Sequence, residues 1–127
     1  PIIFLFLVTG ATGGIAALGN TLFPETSLFL GITKDFNSSS HFLIKLRIFH
    51  PIFAVILCSI LWFLSSQREC RPAKVLNLLA LVAMAWGIIN WLLLSPHWGS
   101  LIHLCLADIL FCVFCYYLFC LRKLPTP

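Results

Sequence analysis

Four apolar runs, each about the length of a bilayer crossing, leave this chain very few folds. In lipid the backbone has no water to bond, so a spanning run must satisfy its own N–H and C=O groups as a helix. A crossing needs about 20 such residues. The runs cover residues 1–19, 42–65, 74–94 and 99–121. They occupy most of the 127 residues and leave no room for a soluble domain. Hydrophobic residues make up 61% and charged ones 9%, with a mean hydropathy of +1.04. A soluble domain carries roughly 25% charge. The sequence therefore predicts an all-α integral membrane protein, a single antiparallel four-helix bundle over 1–127, in contact with the lipid bilayer.

The charges mark topology. A net charge of +4 comes from a few cations in loops and at helix ends and gives no sign of nucleic acid. Arg68, Arg71, Lys74, Arg122 and Lys123 belong to one face, and Lys34, Lys45 and Arg47 to the other. The excess of Lys and Arg places both termini on the cytoplasmic side or its organellar equivalent. The membrane is a bacterial plasma membrane or an organellar inner or thylakoid-type membrane. Trp91 and Trp98 stand where an interfacial aromatic belt is expected.

Six cysteines, at 58, 70, 105, 112, 115 and 120, show no loop pairing pattern, and all but Cys70 fall within the runs. Cys112-Val-Phe-Cys115 has no histidine after it and is not a c-type heme attachment site. They read as small packing residues. Gly10-x-x-x-Gly14 in the first run is a small-x-x-x-small pattern. It lets another helix approach closely or makes room for a flat cofactor. Opening on Pro1 inside an apolar run, the chain reads as a processed product or a piece of a longer protein.

Four polar groups stand out. His50, followed by Pro51, lies about two turns into the second run, and His103 about one turn into the fourth. Asp108 lies deeper in the fourth, and Arg47 is one turn before His50. Proline at 51 removes a backbone bond inside the helix and can bend it. An ionisable residue inside a membrane helix is costly and marks a functional site by default. The second and fourth runs start from the same membrane face. Their histidines differ in depth by about 6 Å along straight helices, within what tilt absorbs. Two histidines on different helices facing one bundle interior suit the two axial positions of a porphyrin metal. Arg47 shares the face of His50, and Lys45 lies at the rim. Both can meet propionates at the boundary or reach headgroups by snorkelling. His41 and His97 sit in the loops and are expected to be solvated. A proton carrier through Asp108 would need a second ionisable group along the span.

Ala17-Leu18-Gly19-Asn20-Thr21-Leu22-Phe23-Pro24, then His41-Phe42-Leu43-Ile44-Lys45-Leu46-Arg47 and His50-Pro51, resemble the heme A synthase family. The run Leu101 to Asp108 is similar to the last helix of one four-helix half of it. Members have two such halves and oxidise the C8 methyl of heme O to a formyl group for cytochrome oxidase assembly. The resemblance is to the C-terminal half, which holds a b-type heme and passes electrons. It implies heme b between His50 and His103, with no catalytic residue in this half, and a second half as partner. Oxidoreductase activity would then belong to the complete two-half protein. The competing expectation is a non-enzymatic subunit of a larger respiratory or photosynthetic complex, its histidines ligating heme, chlorophyll or nothing.

Overall fold

The computed structural model describes residues 1–68 and 70–122. Glu69 and residues 123–127, Lys123 among them, lie outside the described residues. The described chain is all-helical: α1 (Ile2–Leu22), α2 (Leu28–Asp35), α3 (Phe42–Leu46), α4 (Phe49–Ser66), α5 (Arg71–Leu92) and α6 (His97–Arg122). Four segments are long and apolar enough to cross a membrane: Ile2–Leu22, Phe42–Ser66, Arg71–Leu92 and His97–Leu121. The protein is an integral membrane four-helix bundle, with α2 in the one long connection.

Each helix end has a local cause. Ser27 accepts the Leu30 N–H at 3.3 Å and starts α2. Pro72 occupies the first turn of α5, where a missing N–H costs nothing. The α5–α6 turn is a Schellman motif. Ser95 N–H donates to Asn90 O at 2.8 Å and Leu94 N–H to Trp91 O at 3.0 Å. This puts Leu94 in the left-handed region, at φ 62°, where glycine is the usual occupant.

The second span, Phe42–Ser66, carries one lapse in its α-helical hydrogen-bond pattern, with helical φ and ψ kept through it. The lapse falls at Arg47 and Ile48, between α3 and α4. It lies four residues before Pro51, whose ring clashes with the carbonyl at that distance. His50 N–H bonds Arg47 O in an i→i−3 turn at 3.3 Å. Pro51 thus stands in the first turn of α4 and about two turns inside the Phe42–Ser66 span.

Neighbouring helices pack in chain order, α1 on α4, α4 on α5 and α5 on α6. Phe6 of α1 closes the ring against Phe111 and Phe114 of α6, at centroid distances of 5.2 and 5.1 Å. The buried core is formed by Leu57 and Leu61 of α4, Leu76, Ala80 and Ala83 of α5, and Leu110, Phe114 and Tyr117 of α6. Ala73, Ala80 and Ala83 are buried and bring the α5 backbone close to its neighbours, as small residues do in membranes. Tyr117 O–H donates to Leu64 O at 3.2 Å, and Ser65 O–H bonds across to Asn77.

This core occupies the half of the bundle nearer the α4–α5 turn. On α4 it is reached seven and eleven residues after His50, at Leu57 and Leu61. On α6 it is reached seven and eleven residues after His103, at Leu110 and Phe114. Seven and eleven residues are close to two and three helical turns. Both histidines therefore face the interior, and at the same depth above the core.

Candidate functional site

The two imidazoles meet at the bundle axis. Their ring centroids are 6.1 Å apart and their planes cross at 81°. A metal with an imidazole nitrogen about 2 Å away on each side, plus about 1.1 Å from nitrogen to ring centre, needs roughly 6 Å. The spacing leaves room for one metal between the rings.

His50 Nδ1 lies 3.1 Å from the Thr9 carbonyl oxygen of α1. A carbonyl can only accept, so Nδ1–H donates and Nε2 keeps its lone pair. Metal-bound histidines ordinarily have their second nitrogen held in this way. His103 Nδ1 is buried with no hydrogen-bond partner among the described residues.

Two donors suit a porphyrin, whose four nitrogens complete the coordination of iron. They do not suit a bare ion such as zinc, which takes four ligands from the protein or water. Among the described residues no three histidine, cysteine or carboxylate side chains converge on one point. A six-coordinate iron uses both imidazoles, so the donor set fits heme.

Arg47 is not free at the rim. Its Nε bonds Asp35, its Nη1 donates to Asn20 Oδ1 at 2.9 Å and its Nη2 to Gly31 O at 3.2 Å. Glu25 lies 3.7 Å from Nη2 and is bonded by Lys34 at 2.8 Å. The Arg47 and Glu25 side chains are only 10% and 8% exposed. The cluster holds two cations and two carboxylates and is formally neutral. It ties α2 to the α3–α4 break. Among the described residues Lys45 bonds a backbone carbonyl, Ser38 O.

This network explains part of the N-terminal motif. Gly19 is buried, and a Cβ there would lie 3.4 Å from Leu43 O. The motif therefore seats α1 against α3 and offers Asn20 to Arg47. His41 caps α3, accepting from Leu43 N–H at 3.3 Å, and is exposed, as is His97. Asp108 lies on the outward face of α6, exposed, with no bonded partner among the described residues.

The glycines that matter are not those of the Gly10-x-x-x-Gly14 pattern, where an added Cβ would meet nothing within 4 Å. Gly13 and Gly87 are the ones pressed against the imidazoles. A Cβ at Gly13 would lie 3.0 Å from His50 Cε1, and one at Gly87 2.9 Å from His103 Cε1. Gly87 is a lone glycine in an apolar run and carries no motif. The shared seven- and eleven-residue spacing after each histidine is the signal that could have revealed the depth match.

No protein-family model matches the chain, and no solved structure is similar to it at a significant level. Two curated relatives are similar, both named protoheme IX farnesyltransferase, from two strains of Thermus thermophilus. One is 31% identical over 116 residues, 85% of this chain and 19% of its own length. The other is 32% identical over 109 residues, 80% of this chain and 18% of its own length. The chain spans less than a fifth of the length of these relatives.

These relatives overturn the expected heme A synthase half, and with it heme A biosynthesis, oxidoreductase activity and electron transfer. Their name denotes transfer of a farnesyl group to protoheme IX, not oxidation of a heme methyl. The motifs behind that resemblance seat α1 on α3, hold Arg47 and position His50. Such features describe how a bundle is built and say nothing of which reaction it serves.

Proposed function

We propose that this chain is a protoheme-binding membrane unit, holding one heme between His50 and His103. The observation that carries this is the pair of inward imidazoles 6.1 Å apart, with Nδ1 of His50 committed to Thr9 O. The relatives' name supports protoheme as the porphyrin. A heme held there would supply a Lewis-acidic, redox-active iron. The protein's part would be to supply two lone pairs, from His50 and His103, and to exclude water.

Lys45 is the side chain for a propionate. Arg47, neutralised by Asp35 and Glu25, sits behind it and holds the loop over that edge. No residue of this chain is assigned a catalytic role. The diphosphate of a farnesyl donor calls for carboxylate-bound Mg²⁺ or free cations. The described acids are few, and two of them are spent on Arg47 and Lys34. Farnesyl transfer is the activity named for the relatives, and no part in it is assigned to this unit. This unit holds the heme.

Orientation and partners follow from the same arrangement. The α4–α5 turn and both termini face the cytoplasmic side, where Arg68, Arg71 and Lys74 lie. The outward face of α6 meets protein rather than lipid at Asp108, since a lipid-facing carboxylate at that depth is costly.

Titrating the purified chain with ferric protoheme tests the proposal. Saturable binding of one heme per chain, with a low-spin spectrum, is expected. A high-spin spectrum, or no saturable binding, would contradict it.

A further inference from the structure

We propose that Gly13 and Gly87 are positioning residues that hold the two axial imidazoles crossed and so set the electronic state of the bound iron. The inference rests on the protoheme reading above.

The two glycines occupy equivalent seats. Gly13 is on α1 and receives the ring of His50 from α4. Gly87 is on α5 and receives the ring of His103 from α6. Four residues before each glycine stands a buried residue, Thr9 or Ala83. Seven and eleven before stand Phe6 and Ile2 on α1, and Ala80 and Leu76 on α5, all packed in or against the core. The helix pairs α1/α4 and α5/α6 thus repeat one arrangement, a glycine facing a histidine at the same height.

Neither seat tolerates a methyl group at the present ring position. At Gly13 it would stand 3.0 Å from Cε1 and 3.2 Å from Nδ1 of His50. At Gly87 it would stand 2.9 Å from Cε1 and 3.4 Å from Nε2 of His103. Both are at or inside the closest carbon contacts that packed side chains show, and the ring would have to turn or withdraw.

The two rings are held differently. His50 has its bond to Thr9 O as well as its seat. His103 Nδ1 has no partner among the described residues, so among them packing alone sets its plane. Gly87 is therefore the more sensitive of the two.

The crossing angle of 81° has an electronic consequence. Each axial imidazole donates π density into the iron d orbital perpendicular to its own plane. Parallel rings raise one of two such orbitals and split the pair. Crossed rings raise both nearly equally and leave them close in energy. In the low-spin ferric state near-degeneracy gives a strongly anisotropic resonance with one large g value, whereas parallel rings give a rhombic three-line spectrum. Axial-ligand geometry is one of the levers a protein has on a heme.

The test is electron paramagnetic resonance of the heme-loaded, oxidised protein, frozen in detergent. The unmodified protein is expected to show the large-g signal. Gly87→Ala is expected to convert it to a rhombic low-spin signal or to a high-spin one, and Gly13→Ala to do so less completely. Gly10→Ala, facing open space, is expected to leave it unchanged. A rhombic spectrum from the unmodified protein, with both histidines still required for the low-spin state, overturns the crossed arrangement but not heme ligation. A large-g signal that persists in Gly87→Ala and Gly13→Ala overturns the role of the glycines. Absence of bound heme overturns the protoheme reading itself.

Discussion

At the scale of single residues, the chain spends its few polar groups on two tasks. His50 and His103 face each other across the bundle axis, and Arg47 binds the long connection. The meeting of the two histidine rings was legible from sequence, because groups at related depths, on helices entering from one face, are brought side by side in the bundle interior. Arg47 was not. Spacing placed it on the His50 face, but its partners Asp35 and Glu25 lie in the loop, and only the fold of α2 brings them back to it. Arg47→Ala costs about 3 kcal/mol, because it leaves the largely buried Asp35 carboxylate without its cation, while Glu25 keeps Lys34. The expected outcome is early proteolytic cleavage between Asn20 and Phe42, with the four spans still folded. Lys45→Ala is expected to weaken protoheme binding by roughly three- to tenfold, the loss of one charge-assisted contact at an exposed rim. Heme titration measures it.

Elements show where local rules and packing disagree. Pro51 marks an irregularity in the span, and the α-helical bonding lapses between α3 and α4, because the clash falls on the Arg47 carbonyl one turn back. The Gly10-x-x-x-Gly14 pattern was visible but faces outward, since the pattern alone does not say which side of α1 meets a partner. The Schellman turn after α5 places Leu94 at φ 62°, a conformation costing an L-residue about 1–2 kcal/mol. Leu94→Gly is expected to stabilise the bundle by up to about 1 kcal/mol, read as a higher thermal midpoint in detergent. Asp108 disfavours insertion of α6. Asp108→Leu is expected to improve insertion of that helix by roughly 3 kcal/mol, measured by glycosylation mapping in a translocation assay.

For the whole molecule, the four-helix membrane bundle followed directly from the apolar runs, because lipid permits no other solution for them. The reaction did not follow. The residues that resembled one heme enzyme build the α1–α3 contact and place His50 beside His103, and the relatives that match most of this chain carry a different name. Orientation has its own test. Cys70, in the α4–α5 turn, is outside the spans, while the other five cysteines lie within them. A membrane-impermeant thiol reagent is expected to modify Cys70 from the cytoplasmic side alone. Modification only from the opposite side would reverse the topology.

The central claim is that both histidines bind one iron. Absorption spectra of the protoheme-loaded chain, of His50→Ala and of His103→Ala measure this most directly. The account predicts a low-spin, two-imidazole spectrum for the unmodified chain and its loss in each variant, with a five-coordinate high-spin heme or none remaining. An unchanged low-spin spectrum in either variant would contradict it.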